Sequence, residues 1–426
     1  MSRNMKRTIG IVGGGAAGMT AAIAAASRGA EVILFEGNDR LGKKILATGN
    51  GKCNLGNMDL GIEKYNTENP ELLQGYLERF GTNETIAFFR KLGLLIKQKN
   101  GYLYPVSEQA SSVLDVLRFE IARLKEITVK TGCKIEKIEK DTKRNVFKIW
   151  NGNEAYSFDR VILTCGGKAA PKTGSDGSGY RMAKMLGHSV LPVVPALVQL
   201  KCREDWMKSV AGVRADAEIM LLKNGRVVTS ERGELQITDY GISGIPTFQL
   251  SRKVGYILKE QNEVEICIDF LPDFVKDGFA DKLSGARLPL MACKTVEEYF
   301  TGMLNKKLML LFIKLAGLKP TEPAGCADIK KIKRVYELCR KLTVHIYADN
   351  SFDNAQVSAG GVPLCEITRQ LESKMVPGAY FAGELLDVDG RCGGYNLQWA
   401  WCSGYLAGTY ATDGEMEDAT FKSGEN

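Results

Sequence analysis

The chain of 426 residues has only two histidines, His188 and His345. That scarcity argues against a histidine-rich metal centre, and no metal is expected. Its eleven cysteines are an odd number and never fall in C-x-x-C pairs. This pattern speaks for reduced thiols in a cytoplasmic setting rather than a disulfide framework or a zinc site. No stretch reaches the ~18 uninterrupted apolar residues of a membrane span, so no membrane partner is expected. Residues 9–26 are apolar but lack a cleavage signature, and they are not read as a signal peptide. Low-complexity tracts and internal repeats are missing as well. The net charge of +7, from 57 basic and 50 acidic residues, is mild. It suits an anionic substrate but does not by itself imply nucleic acid.

What is present centres on Thr8 to Glu36. Ile9, Ile11 and Val12 make a short β-branched run, the pattern of a strand buried on both faces. Gly13, Gly15 and Gly18 then form G-x-G-x-x-G, with Ala16 and Ala17 inside it. The first glycine permits a sharp turn, the second lets backbone approach a pyrophosphate, and the third lets helix pack on strand. A helix starting near Gly15 directs free N–H groups and its positive dipole end at the phosphates. Its alanines, at 21, 22, 24, 25 and 26, make a thin face suited to lying on the sheet. Glu36 ends the next strand and is placed to accept hydrogen bonds from ribose hydroxyls. These residues specify a dinucleotide site and leave NAD and FAD open.

Residues 37–57 read as a long glycine-rich loop that wraps a ligand, with Arg40, Lys43, Lys44 and Lys52 suited to phosphate charge. A helical stretch is expected over 70–93 and a hairpin around Asn100-Gly101. An amphipathic helix carries Val113, Leu117 and Ile121, and a meander of three short strands follows over 127–150. The strand from Arg160 ends in Cys165-Gly166-Gly167, a second glycine turn able to approach a nucleotide. His188 is expected to cap the helix that follows. Pro192 and Pro195 mark a crossover into a strand-rich block to 271, with a turn-rich segment at 235–252, and then a helical block to 342. The basic cluster Lys330, Lys331, Lys333 and Arg334 reads as a solvated helix face. After 358 the chain returns to nucleotide-domain sequence, with a buried strand ending at Gly383-Glu384, and closes in a polar tail over 413–426.

Five segments, GGGAAG (13–18), TGNGKCN (48–54), CGGKAAPKTGSDGSGY (165–180), GISG (241–244) and FAGELLDVDGRCGGYNLQWA (381–400), together carry a resemblance. The chain resembles the glutathione-reductase-like FAD superfamily, and within it the flavoprotein family of the aminoacetone oxidase and BaiN type. The resemblance implies an α/β fold: a Rossmann-like FAD-binding domain interrupted by an insertion made of a β-barrel and a small helical domain. The expected divisions are 1–193 and 359–412 for the FAD domain, 194–271 for the barrel, 272–342 for the helices and 343–358 for a return strand. The helical part is expected to close over the ring as a lid.

The resemblance also implies FAD rather than NAD. Gly13, Gly15, Gly18 and Glu36 would hold its ADP half, with Arg40, Lys43 and Lys44 along the cofactor. Gly49, Gly51, Lys52, Cys53 and Asn54 would pass close to the flavin. Glu384, after Gly383, would meet the ribityl chain or pyrophosphate, with Asp387 as the alternative. Gly393, Gly394, Tyr395, Asn396 and Leu397 would face the pyrimidine edge, with Asn396 capping a helix aimed at the ring. The expected activity is hydride transfer between flavin N5 and a small organic substrate, an amine or an unsaturated or keto compound. No second G-x-G-x-x-G is present, so NAD(P)H would dock only transiently. No general acid is assigned, and Tyr395 is a weak candidate. Cys53 and Cys392 are read as packing residues rather than a redox disulfide. Two rival readings are an RNA-modifying flavoenzyme and a flavin sensor without turnover.

Overall fold

The computed structural model describes residues 6–152, 154–261, 263–274 and 277–413. Of the polar tail, residues 414–426 lie outside the described residues. Two compact units divide the chain: one holds the residues up to Val194 and those from Val357 on, the other Pro195–Gln356.

The first unit is built on a five-stranded sheet. The strand Thr8–Val12 lies between the strands Glu31–Phe35 and Arg160–Leu163, parallel to both. Ala379–Phe381 joins in parallel beyond Arg160–Leu163. Ile9, Ile11, Val161, Ile162 and Leu163 are fully buried, which is why these strands read as near-continuous apolar runs. The three strands expected over 127–150 divide differently. Ile127–Lys130 extends the main sheet in parallel beside Glu31–Phe35. The meander is Lys137–Asp141, Val146–Asn151 and Glu154–Phe158. Local alternation marks a strand but not its partner, and here the partner is distant in sequence.

The helix Ala16–Ala26 is buried at every position from Ala17 onward. Its alanines do more than lie on the sheet. The C-terminal helix Tyr395–Asp413 crosses it with two glycines. A Cβ at Gly404 would sit 2.3 Å from the carbonyl oxygen of Ala17, and one at Gly408 2.3 Å from that of Ala21. Small residues on both helices let the two backbones touch. Trp399 donates its indole N–H to the Gly383 carbonyl at 3.1 Å, and Trp401 donates to that of Leu55 at 3.0 Å. The last helix is thereby tied to two glycine turns.

The expected helix over 70–93 is two helices, Pro70–Arg79 and Thr82–Lys91, broken at Phe80-Gly81. The Glu84 carboxylate caps the second by accepting from Gly81 N at 2.8 Å. The Asn100-Gly101 turn is formed, with φ of 52° and 86°, the left-handed pair that a tight hairpin requires.

In the second unit a closed antiparallel barrel is formed by six strands. Its last strand, Leu342–Asp349, comes after the helices in sequence. The segment 235–252, expected as a turn, instead ends one barrel strand, forms another, Gly241–Gly244, and starts the helix Ile245–Glu260. Pro246 in its first turn is a helix-starting residue there, not a breaker. Helices follow from Phe279 to Arg340. No helix among the described residues is long and apolar enough to cross a membrane.

Candidate functional site

The carboxyl ends of three neighbouring parallel strands each run into a glycine turn. In open α/β sheets ligands gather at such a place. After the first strand, Gly13 takes φ of 112° and donates its N–H to the Phe35 carbonyl at 2.8 Å. A Cβ on Gly18 would lie 1.8 Å from the Gly13 oxygen, so this glycine is required by the fold itself. Gly15 differs: a Cβ there would meet nothing within 4 Å. It is the N-cap of the helix that begins at Ala16, with Ala17 next to it in the first turn. Glu36 grips the same turn. Its carboxylate accepts from Gly14 N at 2.9 Å and from Asn38 N and Nδ2 at 2.8 and 2.7 Å. Sequence reading missed Asn38, which has no motif to betray it. Of the basic residues in this loop, Arg40 is exposed and Lys43 pairs with Asp39 at 2.6 Å.

The second and third turns meet through one carboxylate. Glu384 accepts from Ser358 N at 2.9 Å and pairs with Lys44 Nζ at 2.9 Å. A Cβ on Gly167 would lie 2.6 Å from both the Glu384 and the Ser358 side-chain oxygens. Gly166 beside it has φ of 71°, and Gly383 has 75°. The Ser358 hydroxyl accepts from Lys168 N at 2.8 Å and Ala169 N at 3.0 Å. Thus Ser358 sets the shape of this turn, although nothing local in the sequence marks it. Asp387, the alternative to Glu384, is buried.

The loop over 37–57 has more structure than its glycines suggest. Residues Lys43–Gly51 form tight helical turns interrupted by left-handed Gly49 and Asn50, and Gly51 and Cys53 are also left-handed. Cys53 is fully buried, and burial pushes its thiol up to about 12. The side chain therefore packs and does not react. Lys52 points to Glu108 at 2.8 Å. This loop lies against the start of the last helix: a Cβ on Gly394 would come within 2.7 Å of Asn54 Oδ1 and 2.9 Å of Gly56 Cα. Asn54 Oδ1 is buried without a donor among the described residues.

Asn396 does not cap the last helix. That helix begins at Tyr395, and Gly394 supplies its first acceptor, to Gln398 N at 2.9 Å. The Asn396 amide instead clasps the backbone of Gly390, accepting from its N–H and donating to its carbonyl, both at 2.8 Å. Leu397 packs on the core. Tyr395 donates its hydroxyl to the Asp59 carbonyl at 3.1 Å, and burial raises its phenol above the ordinary value. His188 is likewise not a cap. Its buried ring bridges Glu366 at 2.8 Å and Ser373 at 2.7 Å.

The donor set suits a long nucleotide cofactor. Open space in front of Gly15, a helix N-terminus behind it and an unpaired buried acceptor at Asn54 lie in one unit. A family profile described as the HI0933-like protein Rossmann domain matches residues 7–410.

The chain belongs to the HI0933-like family.

It is 45% identical over 408 residues to the 3-dehydro-bile acid delta(4,6)-reductase of Clostridium scindens, covering 95% of this chain and 99% of that protein. Over 403 residues it is 28% identical to the ribosomal RNA dihydrouridine synthase of Haemophilus influenzae, covering 93% and 96%. The enzyme of that name from Escherichia coli is also 28% identical, over 400 residues, with 93% and 95% covered. This member of the HI0933-like family is an oxidoreductase, and its cofactor is FAD.

Proposed function

We propose that this protein reduces a carbon–carbon double bond conjugated to a carbonyl group in a small organic molecule. The observation that carries the reading is the 45% identity, end to end, with a bile-acid delta(4,6)-reductase. The more distant relatives point to the same bond chemistry, since a dihydrouridine synthase also adds hydrogen across a ring double bond. FAD, when bound, supplies a hydride from N5. The Gly13–Gly18 turn and the helix N-terminus would hold its pyrophosphate, and Glu36 a ribose. Lys44 and Glu384 would lie along the chain between ribityl and phosphate. Residues Gly49–Asn54 and Gly394–Leu397 would flank the ring. The free N–H groups at the start of the last helix would stabilise negative charge on the reduced ring. A reduced nicotinamide, docking transiently, would supply the electrons.

A small substrate is favoured over RNA by the state of the basic cluster. Lys331 donates to the Gly317 carbonyl at 3.0 Å, Lys333 pairs with Asp281 at 2.6 Å, and Arg334 with Glu337 at 3.2 Å. Three of its cations are engaged by their own neighbours. The test is an anaerobic screen in which NADH or NADPH reduces the bound flavin and candidate acceptors reoxidise it. Reoxidation by a 3-oxo-4,6-diene steroid, and not by a ribosomal RNA fragment, is expected. The reverse preference would overturn the small-molecule reading.

A further inference from the structure

The hairpin after the glycine loop carries a half-buried tyrosine beside two lysines. Its strand Tyr102–Pro105 pairs with Ile96–Lys99 on one side and Gly56–Asn57 on the other. Leu55 N donates to the Leu103 carbonyl at 2.8 Å, so the strand adjoins the loop expected beside the ring. Alternation buries Leu103 and turns Tyr102 and Tyr104 to the opposite face. Across the strand pair, Lys97 stands opposite Tyr104 and Asn57 opposite Tyr102. Tyr102 also borders the last helix's turn: a Cβ on Gly393 would lie 3.3 Å from its ring, and Asn57 Nδ2 donates to the Gly393 carbonyl at 3.3 Å. This face therefore adjoins both segments assigned to the ring.

The charges around Tyr104 are arranged. Glu108 takes Lys52 on one oxygen at 2.8 Å and Lys97 on the other at 2.6 Å. The two lysines hold its carboxyl down to about 2, so it stays ionised. Burial raises the Tyr104 phenol, the Tyr102 ring and Glu108 add to this, and Lys52 opposes it. The group is thus a protonated phenol at neutral pH. Other tyrosines of this unit spend their hydroxyls on structure. Tyr65, Tyr76, Tyr380 and Tyr395 donate to backbone carbonyls at 3.1, 2.6, 3.3 and 3.1 Å. The hydroxyls of Tyr102 and Tyr104 meet no acceptor among the described residues, and both side chains are partly exposed.

We infer that Tyr104 binds the substrate's carbonyl oxygen and donates the proton that accompanies hydride transfer, with Tyr102 as the wall beside it. This rests on the reduction proposed above. FAD, held at the glycine turns, would supply the hydride that forms a C–H bond at the far carbon of the conjugated system. The double-bond pair moves toward the carbonyl carbon, and the carbonyl pair moves onto oxygen. The Tyr104 O–H bond breaks as the substrate oxygen takes the proton, giving an enol. Tyrosinate, stabilised by Lys52 and Lys97, regains a proton from water. The enol then exchanges its hydroxyl proton for one on carbon and yields the ketone with one carbon–carbon double bond fewer. One hydride and one proton are consumed, and a reduced nicotinamide would supply the hydride's two electrons.

The experiment uses the FAD-loaded protein and its Tyr104→Phe, Tyr102→Phe and Glu108→Gln variants. Reoxidation of the reduced flavin by a 3-oxo-4,6-diene steroid is followed without oxygen. Tyr104→Phe should slow it about 10²- to 10³-fold with unchanged FAD content, the range of a lost proton donor. Tyr102→Phe should cost less than about tenfold, because the ring that forms the wall is kept and no proton donor is lost. In Glu108→Gln the alkaline limb of the rate profile should move to lower pH, because the lysines then act on Tyr104 unopposed. Without turnover, an aromatic 3-hydroxysteroid titrated into the oxidised protein should bind about tenfold more weakly to Tyr104→Phe, one hydrogen bond's worth. A wild-type rate and affinity in Tyr104→Phe, or loss of FAD from it, would overturn the inference. If the diene fails to reoxidise the wild-type flavin, the proposed reaction falls, and the subsite stands or falls on the steroid titration alone.

Discussion

Two glycines of one motif should respond to the same substitution in opposite ways. At Gly15 an added Cβ meets nothing within 4 Å, and the backbone φ of −81° is open to any residue. Gly15→Ala should leave the apo fold as stable as before, within about 0.5 kcal/mol, because a shorter list of unfolded conformations offsets small losses. At Gly18 the added Cβ would lie 1.8 Å from the Gly13 carbonyl oxygen, which is backbone and cannot swing aside. Gly18→Ala should cost more than about 4 kcal/mol or prevent folding, the range of severe overpacking. Ligand binding separates the pair further. If the space before Gly15 admits the pyrophosphate, the methyl group displaces at least one charge-assisted hydrogen bond worth about 1.5–3 kcal/mol. At about 1.4 kcal/mol per tenfold, FAD should bind roughly 10- to 150-fold more weakly. Thermal melts of the apo protein give the first quantity, and quenching of flavin fluorescence on titration gives the second. Gly15→Ala that binds FAD like the wild type would refute the placement, and so would one that melts as early as Gly18→Ala.

Three further outcomes follow from single side chains. Asn54 Oδ1 is buried without a donor, so Asn54→Leu should stabilise the apo protein by about 1 kcal/mol while weakening FAD about tenfold; a destabilised apo protein would contradict this. Lys44→Met leaves Glu384 without its ion pair at 2.9 Å, and FAD titration should show weaker binding with less dependence on salt; an unchanged salt dependence would count against Lys44 lying along the phosphates. Burial holds His188 below the ordinary 6.5, so the unfolded chain takes up a proton more readily than the fold as the pH drops. Stability should fall as the pH is lowered through and below 6.5, with Glu366, also held low, adding to the loss at more acid pH. His188→Gln should flatten the first part of that slope in melts across pH; His345, held above the ordinary value by Glu204, acts in the opposite sense, so an unflattened slope would mean that the carboxylates govern it.

The legible parts of the sequence were those where a local backbone demand leaves a residue signature. The strand–turn–helix–strand from Thr8 to Phe35 is one, because Gly13 takes a left-handed φ of 112° and Gly18 answers a close contact with the Gly13 carbonyl in the same turn. The Asn100-Gly101 hairpin is another, with both residues left-handed. What escaped depends on partners that no local pattern names, several of them distant in the chain. His188 looks like a helix end until Glu366 and Ser373, 178 and 185 residues on, are brought to it. Ser358 shapes the turn at 166–169 from 190 residues further along the chain. Asn396 has the side chain of a cap but finds Gly390 folded back within reach, and the clasp on both backbone groups wins. Behind GISG, the helix Ile245–Glu260 was masked by Gly244 and Pro246, which mark a helix start as readily as a turn. The glycines that the turn geometry demands were thus readable, whereas the polar side chains that hold the turns were not.

The most direct test of the account follows the bound flavin through one turnover without oxygen. The protein is reduced by NADPH, freed of excess nicotinamide and mixed with a 3-oxo-4,6-diene steroid. The account predicts that the oxidised flavin spectrum returns in proportion to the steroid added, that heat releases FAD, and that the recovered steroid has one double bond fewer. A flavin that stays reduced while the steroid is recovered unchanged would contradict it.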